Sequence, residues 1–163
     1  MVELGCWPGG WLQVAGRVVG PSGRVVGVDL AAIEGDFEYE NTVAIEGDLG
    51  DPSICERVLE SLGGSADLVI SDAAPKLTGV REVDRASEER LLEAVAGLLP
   101  VVLREGGDLV LKLLESPEAR EVDGRIRARF TRARSARVAA TRKGSSERYL
   151  VARGLRGATG PRA

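Results

Sequence analysis

The 163-residue sequence predicts a doubly wound α/β fold, a mostly parallel sheet with helices on both faces. Three observations predict it. Apolar runs of strand length alternate with stretches of helical periodicity, the pattern of βαβ units. An apolar stub meets a glycine-rich turn almost at once, in Val2-Glu3-Leu4-Gly5-Cys6-Trp7-Pro8-Gly9-Gly10-Trp11, the layout of a strand, a tight turn and a helix N-terminus. Carboxylates recur just where the apolar runs stop, at Asp29, Asp48 and Asp72, and ligands of such sheets sit beyond the carboxyl ends of the strands.

The elements follow in order. Trp11, Leu12, Val14, Ala15, Val18 and Val19 have helical spacing after the glycines. Arg24 to Asp29 reads as a buried strand ending on a carboxylate, and Thr42 to Ile45 as a shorter one. Pro52 to Leu62 reads as a helix with Asp51 as N-cap and Gly63-Gly64 as stop. Asp67 to Asp72 is a strand. Asp84 to Leu103 is a helix by its spacing of Leu91, Leu92, Val95, Leu98, Leu99 and Val102, with Pro100 as a kink. Asp108 to Leu114 is a strand carrying Lys112 near its end. Pro117 to Phe130 reads as an amphipathic helix bearing arginines. Ala133 to Ala139 and Arg148 to Ala152 read as the last two strands, and Gly154 to Ala163 as a frayed tail.

Composition bounds the function. A hydrophobic content of 44% with 29% charged residues describes a globular chain with one core. No window approaches a membrane span and no signal-peptide pattern is present, so a cytoplasmic protein is expected, with the oligomeric state open and a monomer favoured. Cys6 and Cys55 lack disulfide or metal-ligand spacing and read as small buried hydrophobes. The absence of histidine removes a Ser-His-Asp triad, a Cys-His pair and the usual zinc sites. Proton transfer then falls to Asp, Glu, Lys, Tyr or water.

The net charge of −3 conceals an asymmetry. From Arg120 onward, thirteen basic residues face three acids, while acids dominate the first 119 residues. A nucleic-acid partner on one face fits this split, and so does a solvated surface rich in Arg and Glu.

The turn spacing Gly5-x-x-x-Gly9-Gly10 is not the G-x-G-x-x-G of dinucleotide sites. Asp29 is placed to hold the two hydroxyls of a ribose, and Asp48, in Glu46-Gly47-Asp48, to reach an adenine amino group. A nucleoside without a pyrophosphate fits this set better than NAD, and S-adenosylmethionine is such a ligand. Among 22 basic residues only Lys76, Lys112 and Lys143 are lysines. A lysine can take a proton from a weak nucleophile, whereas arginine does not deprotonate. Lys112, at the end of a buried strand, is therefore the candidate base, with a lysine snorkelling from a strand end as the alternative.

Several blocks resemble the FtsJ-like (RrmJ-type) RNA 2′-O-methyltransferases. They are Glu3 to Trp11 with Gln13, Gly20 to Leu30, Asp67 to Pro75 with Gly79, Gly106 to Lys112, and Ser145 to Ala152, spanning nearly the whole chain in family order. The resemblance implies a Rossmann-like sheet of the S-adenosylmethionine-dependent methyltransferase type with the last strand antiparallel. It implies a methyltransferase domain over residues 1–153 and a flexible tail over 154–163. It implies methyl transfer to a ribose 2′-hydroxyl, of 23S-type large-subunit ribosomal RNA first and transfer RNA second. A non-catalytic module binding cofactor and RNA is the competing reading. By motif position the resemblance assigns Lys112, Asp72 and Glu147 to catalysis. To the cofactor it assigns Gly5, Gly9, Trp11, Asp29, Asp48 and Asp72, with Trp11 as a core tryptophan the alternative. The family's first catalytic lysine lies on a helix upstream of the first motif, so Lys76 or Lys143 is a candidate substitute, as is a longer natural chain. The basic stretch from Arg120 to Arg148 is expected to engage RNA phosphates. Leu113-Leu114-Glu115-Ser116 departs from the more polar, glycine-containing stretch of similar proteins.

Overall fold

In a computed structural model, residues 1–33, 37–114, 116–136 and 147–157 are described. Eleven elements are found among them: β1 (Val2–Leu4), α1 (Gly10–Val19), β2 (Val25–Asp29), β3 (Thr42–Glu46), α2 (Ile54–Leu62), β4 (Ala66–Ser71), α3 (Arg81–Val102), β5 (Leu103–Leu114), α4 (Pro117–Ala128), β6 (Phe130–Ala136) and β7 (Glu147–Leu155). The seven strands form one sheet in the order β3-β2-β1-β4-β5-β7-β6. The first five are parallel, and β7 runs antiparallel between β5 and β6. The doubly wound fold and the antiparallel last strand are as the sequence predicts.

The strand register divides the apolar residues between two faces. Val2, Leu4, Val26, Val28, Val69, Leu109, Leu111, Leu113, Leu150 and Ala152 form one buried face. Ile54 and Val58 of α2, Leu92, Val95 and Leu99 of α3, and Val122 and Ile126 of α4 belong to the same core. A smaller cluster of Cys6, Leu12, Ala15 and Val25 lies under α1 on the opposite face. Gly27 makes that packing possible, because a Cβ there would stand 2.7 Å from both the Cys6 sulfur and a Leu12 methyl. Cys6 is buried as expected, and burial first pushes its thiol up to about 12. No helix among the described residues is long and apolar enough to cross a membrane.

Several boundaries differ from the sequence expectation, each for a local reason. Asp51 does not cap α2. Its carboxylate accepts the Ser53 N–H at 2.8 Å and closes a turn before the helix begins at Ile54. The helix stop at Gly63 is as expected, with a left-handed glycine whose N–H returns to the carbonyls of Leu59 and Glu60. Helix α3 starts three residues early, because Asp84 reaches back to Thr78 N–H (2.7 Å), the Thr78 hydroxyl (2.8 Å) and Gly79 N–H (3.1 Å). Strand β5 begins at Leu103, which is buried and pairs with Ala66 ahead of an irregularity in the ladder. Helix α4 stops at Ala128 and β6 starts at Phe130, whose ring is buried in the core. Strand β7 runs on through Gly154 and Leu155, expected to fray. Leu155 is buried opposite Phe130, and Gly154 N–H donates to Asp108 Oδ1 at 3.0 Å. The expected strand end at Ala139 and the tail from 158 lie outside the described residues.

The sheet reverses its winding between β1 and β4, and the loops leaving these two strands touch. Leu4 carbonyl accepts the N–H groups of Asp72 (3.0 Å) and Ala73 (3.1 Å), while Gly5 N–H donates to Val28 carbonyl at 2.8 Å. Gly5 has φ +79°, and a Cβ on it would lie 2.4 Å from the Ala73 Cα. Only glycine satisfies both conditions. Gly5→Ala is therefore expected to cost about 2–4 kcal/mol in chemical denaturation, from backbone strain plus the clash. A variant as stable as wild type would refute this reading of the junction.

Candidate active site

A cavity of about 300 Å³ opens beyond the carboxyl ends of β1 to β4. Its polar wall includes Asp29, Asp48 and Asp72, and Leu30, Leu49 and Leu91 supply apolar surface. It adjoins a trough of about 830 Å³ that shares Leu30, Asp48, Leu49, Ala74 and Leu91. Three carboxylates among aliphatic side chains suit a nucleoside, whose hydroxyls and amino group donate while its ring prefers apolar contact.

Asp29 ends β2, and each of its oxygens is fixed by a backbone donor. Oδ2 accepts Trp7 N–H at 2.9 Å and Oδ1 accepts Ala31 N–H at 3.0 Å. Each oxygen keeps a lone pair for a ligand hydroxyl. Asp48 holds Gly50 N–H at 2.8 Å with Oδ1, and its other oxygen has no protein partner among the described residues. A vicinal diol at Asp29 and an amino group at Asp48 thus fit the donor set of S-adenosylmethionine.

Asp72 follows β4 and connects the cavity to a second cluster. Lys112 Nζ donates to Asp72 carbonyl at 2.5 Å and lies 3.2 Å from Asp72 Oδ1. The Tyr149 hydroxyl donates to the same Oδ1 at 3.0 Å. The register explains the meeting: Lys112 on β5 stands directly opposite Tyr149 on β7, and Glu147 opposite Leu114. The Lys112 side chain is only 11% exposed, so its charge faces these partners rather than water. Tyr149 is pushed up to about 12, by burial first, then by its bond to Asp72 and the charges of Asp72 and Glu147. It remains a donor at neutral pH.

Two further acids stand behind the cluster. Glu88 of α3 is buried, and its Oε1 accepts Leu114 N–H at 3.0 Å. Strand β4 pairs with β5 only as far as Leu111, so Glu88 supplies an acceptor where that neighbour has ended. Burial raises the Glu88 carboxyl, and the Leu114 bond and the charge of Lys112 oppose the rise. Glu3, on β1 between Gly27 and Ile70, is 1% exposed, with one buried oxygen that lacks a hydrogen-bond partner. Burial, and then the charges of Asp72 and Asp29, raise it to about 8.

The residues assigned by the sequence are thus partly brought together. Gly5, Asp29, Asp48 and Asp72 line the cavity, and Lys112 binds Asp72. Gly9 and Trp11 do not line it. Gly9 faces Ile33 and Phe37, and Trp11 is 51% exposed on α1. Trp7 stands in the wall instead, 60% exposed, with its backbone tied to Asp29. Lys76 is exposed and lines the outer trough with Arg90 and Asp51, not the cavity at Asp72. Lys143 lies outside the described residues. Tyr149, Glu88, Glu3 and Trp7 have no role assigned from sequence. For Glu3 the available signal is a charged residue inside an apolar strand stub.

The raised acid Glu3 gives a pH prediction. Between its ordinary value near 4.5 and about 8 the folded state holds a proton that the unfolded state has lost. Stability therefore falls as pH rises through that window, by a few kcal/mol at most. Glu3→Gln should flatten the dependence, with a melting temperature above wild type at pH 8 and near it at pH 4. A wild-type melting temperature that rises from pH 5 to 8, with the same rise in Glu3→Gln, would contradict the assignment.

The chain resembles known proteins over nearly its whole length. The profile of the FtsJ-like methyltransferase family matches residues 1–155. The chain is 41% identical over 157 residues to a ribosomal RNA large subunit methyltransferase E from Methanothermobacter thermautotrophicus, covering 96% of this chain and 74% of that protein. It is 35% identical over 158 residues to the protein of the same name from Pseudomonas aeruginosa, covering 96% and 75%. A crystal structure of a Plasmodium falciparum protein described as a ribosomal RNA methyltransferase superposes with a TM-score of 0.80 at 20% identity, over 96% of this chain and 86% of that one, and so shares the fold. With residues 1–155 matched by the family profile, the chain belongs to the FtsJ-like methyltransferases.

Proposed function

We propose that this protein transfers a methyl group from S-adenosylmethionine to a ribose 2′-hydroxyl of RNA, with large-subunit ribosomal RNA as the substrate. The observation that carries the proposal is the junction at Asp72, which is shared between the acid-lined cavity and the Lys112–Tyr149 cluster. The names of the relatives from Methanothermobacter and Pseudomonas support ribosomal RNA over transfer RNA.

When bound, S-adenosylmethionine supplies an electrophilic methyl group on a sulfonium. Asp29 and Asp48 hold the nucleoside, and Asp72 is the acid on the side facing the acceptor. The acceptor hydroxyl must lose its proton as its oxygen gains the methyl carbon. As a neutral amine Lys112 takes that proton and becomes an ammonium; as an ammonium it only orients the oxygen, and the proton leaves to water. Two of the Nζ positions point at Asp72, and the third is left for the hydroxyl, a lone pair in the amine and a hydrogen in the ammonium. Tyr149 holds the Asp72 carboxylate in place, and Glu147 adds negative charge at the start of β7. An arginine could pair with Asp72 but could not accept a proton.

The test is tritium transfer from labelled cofactor to undermethylated large ribosomal subunits, with alkali-resistant dinucleotides marking ribose methylation. Lys112→Ala should lose about 10²-fold or more in rate and keep its affinity for S-adenosylhomocysteine, and Lys112→Arg should not restore it. Equal label transfer by Lys112→Ala would sink the assignment. Label on a base rather than a ribose would sink the 2′-hydroxyl.

A further inference from the structure

The basic stretch is sorted by the fold into arginines that hold the protein together and arginines that face outward. Arg125 pairs with Glu93. Arg127 (2.7 Å) and Arg148 (2.9 Å) share Asp123. Arg129 donates to Ala96 carbonyl and Arg156 to Ala128 carbonyl. Arg125 and Arg127 of helix α4 thus already have carboxylate partners.

Arg132, Arg134 and Arg153 are different. All three are exposed, and none has an acidic partner among the described residues. Arg132 of β6 stands directly opposite Arg153 of β7. Like charges directly opposite across a ladder are destabilising, and β6 is an edge strand. Asp108 of β5, near this end of the face, accepts Gly154 N–H.

The register sets this pair in line with the cluster. Along β7, Tyr149 is opposite Lys112, Val151 opposite Arg134, and Arg153 opposite Arg132, so all lie on one face of the sheet. Successive rows are roughly 7 Å apart, two strand residues, comparable with the distance between neighbouring phosphates of an extended strand. Guanidinium groups suit phosphate because their fork gives paired hydrogen bonds.

We infer that the open face of β6 and β7 is an RNA-backbone track, in which Arg134 and then the Arg132–Arg153 pair hold the phosphates flanking the ribose presented at Lys112. The inference rests on the RNA reading proposed above. An anion between Arg132 and Arg153 would convert a repulsive pair into a binding site.

The test uses the full chain and a single-stranded fragment of large-subunit ribosomal RNA, with binding followed against salt. Replacing both Arg132 and Arg153 by Gln should weaken binding about tenfold or more. It should also reduce the slope of log affinity against log salt by about 0.7 for each phosphate that is no longer neutralised. KM for RNA should rise with kcat nearly unchanged, and affinity for S-adenosylhomocysteine should not move. Arg125→Gln, away from the track, should bind RNA as wild type does. Arg132→Glu should raise the melting temperature by pairing with Arg153 while lowering RNA affinity, which separates binding from folding. Wild-type affinity and salt slope in the double variant would overturn the track, as would an equal loss in Arg125→Gln. Arginine-dependent binding of anionic vesicles or an acidic peptide, without RNA binding, would also overturn it. If wild type binds RNA through these arginines but transfers no methyl group, the track stands and the proposed reaction falls. If wild type methylates and the double variant matches it in KM and slope, the track falls alone.

Discussion

The contact between the loops leaving β1 and β4 is the constraint on which the site depends. Leu4 carbonyl takes the N–H groups of both Asp72 and Ala73, and Gly5 lets the Ala73 backbone come closer than any Cβ would permit. That contact fixes Asp72 at the point where the sheet reverses its winding. Asp72 in turn receives Lys112 from β5 and Tyr149 from β7. Three strands distant in sequence thus converge on one carboxylate, and the cavity beside it inherits its position from the same backbone.

Charge at this junction is concentrated and mostly negative. Asp29 and Asp72 approach the cavity while Glu3 lies buried on β1 between their strands. Glu3 responds by keeping its proton, with a carboxyl raised to about 8 by burial and by those two neighbours. A neutral Glu3 limits the repulsion beneath the site, and the two acids at the surface remain available to a ligand. On the other side Lys112 is the cation that Asp72, Glu88 and Tyr149 surround. The local order is thus acid, acid, cation, with a phenol holding the central carboxylate.

Much of this is legible in the sequence because it follows from local pattern. The strand-end acids Asp29, Asp48 and Asp72, the glycine turn at Gly5 and the lysine at a buried strand end are all readable from neighbouring residues. What is not legible depends on register between distant strands. Tyr149 acquires its role only when β7 slots antiparallel beside β5 and sets it opposite Lys112. Glu88 looks like one more charge on α3, and only the early end of β4 creates the vacant acceptor position it fills. The arginines from Arg120 onward read as one basic block, yet Glu93 on α3 and Asp123 on α4 give Arg125, Arg127 and Arg148 carboxylate partners. The two tryptophans of the glycine turn are separated in the same way. Trp7 and Trp11 bracket the same turn, and the tie between Trp7 N–H and Asp29 brings the first into the wall of the cavity.

The acid-lined cavity and the Lys112 cluster form two halves of one site only if they are joined at Asp72. A crystal structure with S-adenosylhomocysteine bound tests that join most directly. The ribose hydroxyls should sit on Asp29, the adenine near Asp48, and the sulfur on the Asp72 side, facing Lys112. A nucleoside seated in the outer trough beside Lys76, or one whose sulfur points away from Asp72, would contradict it.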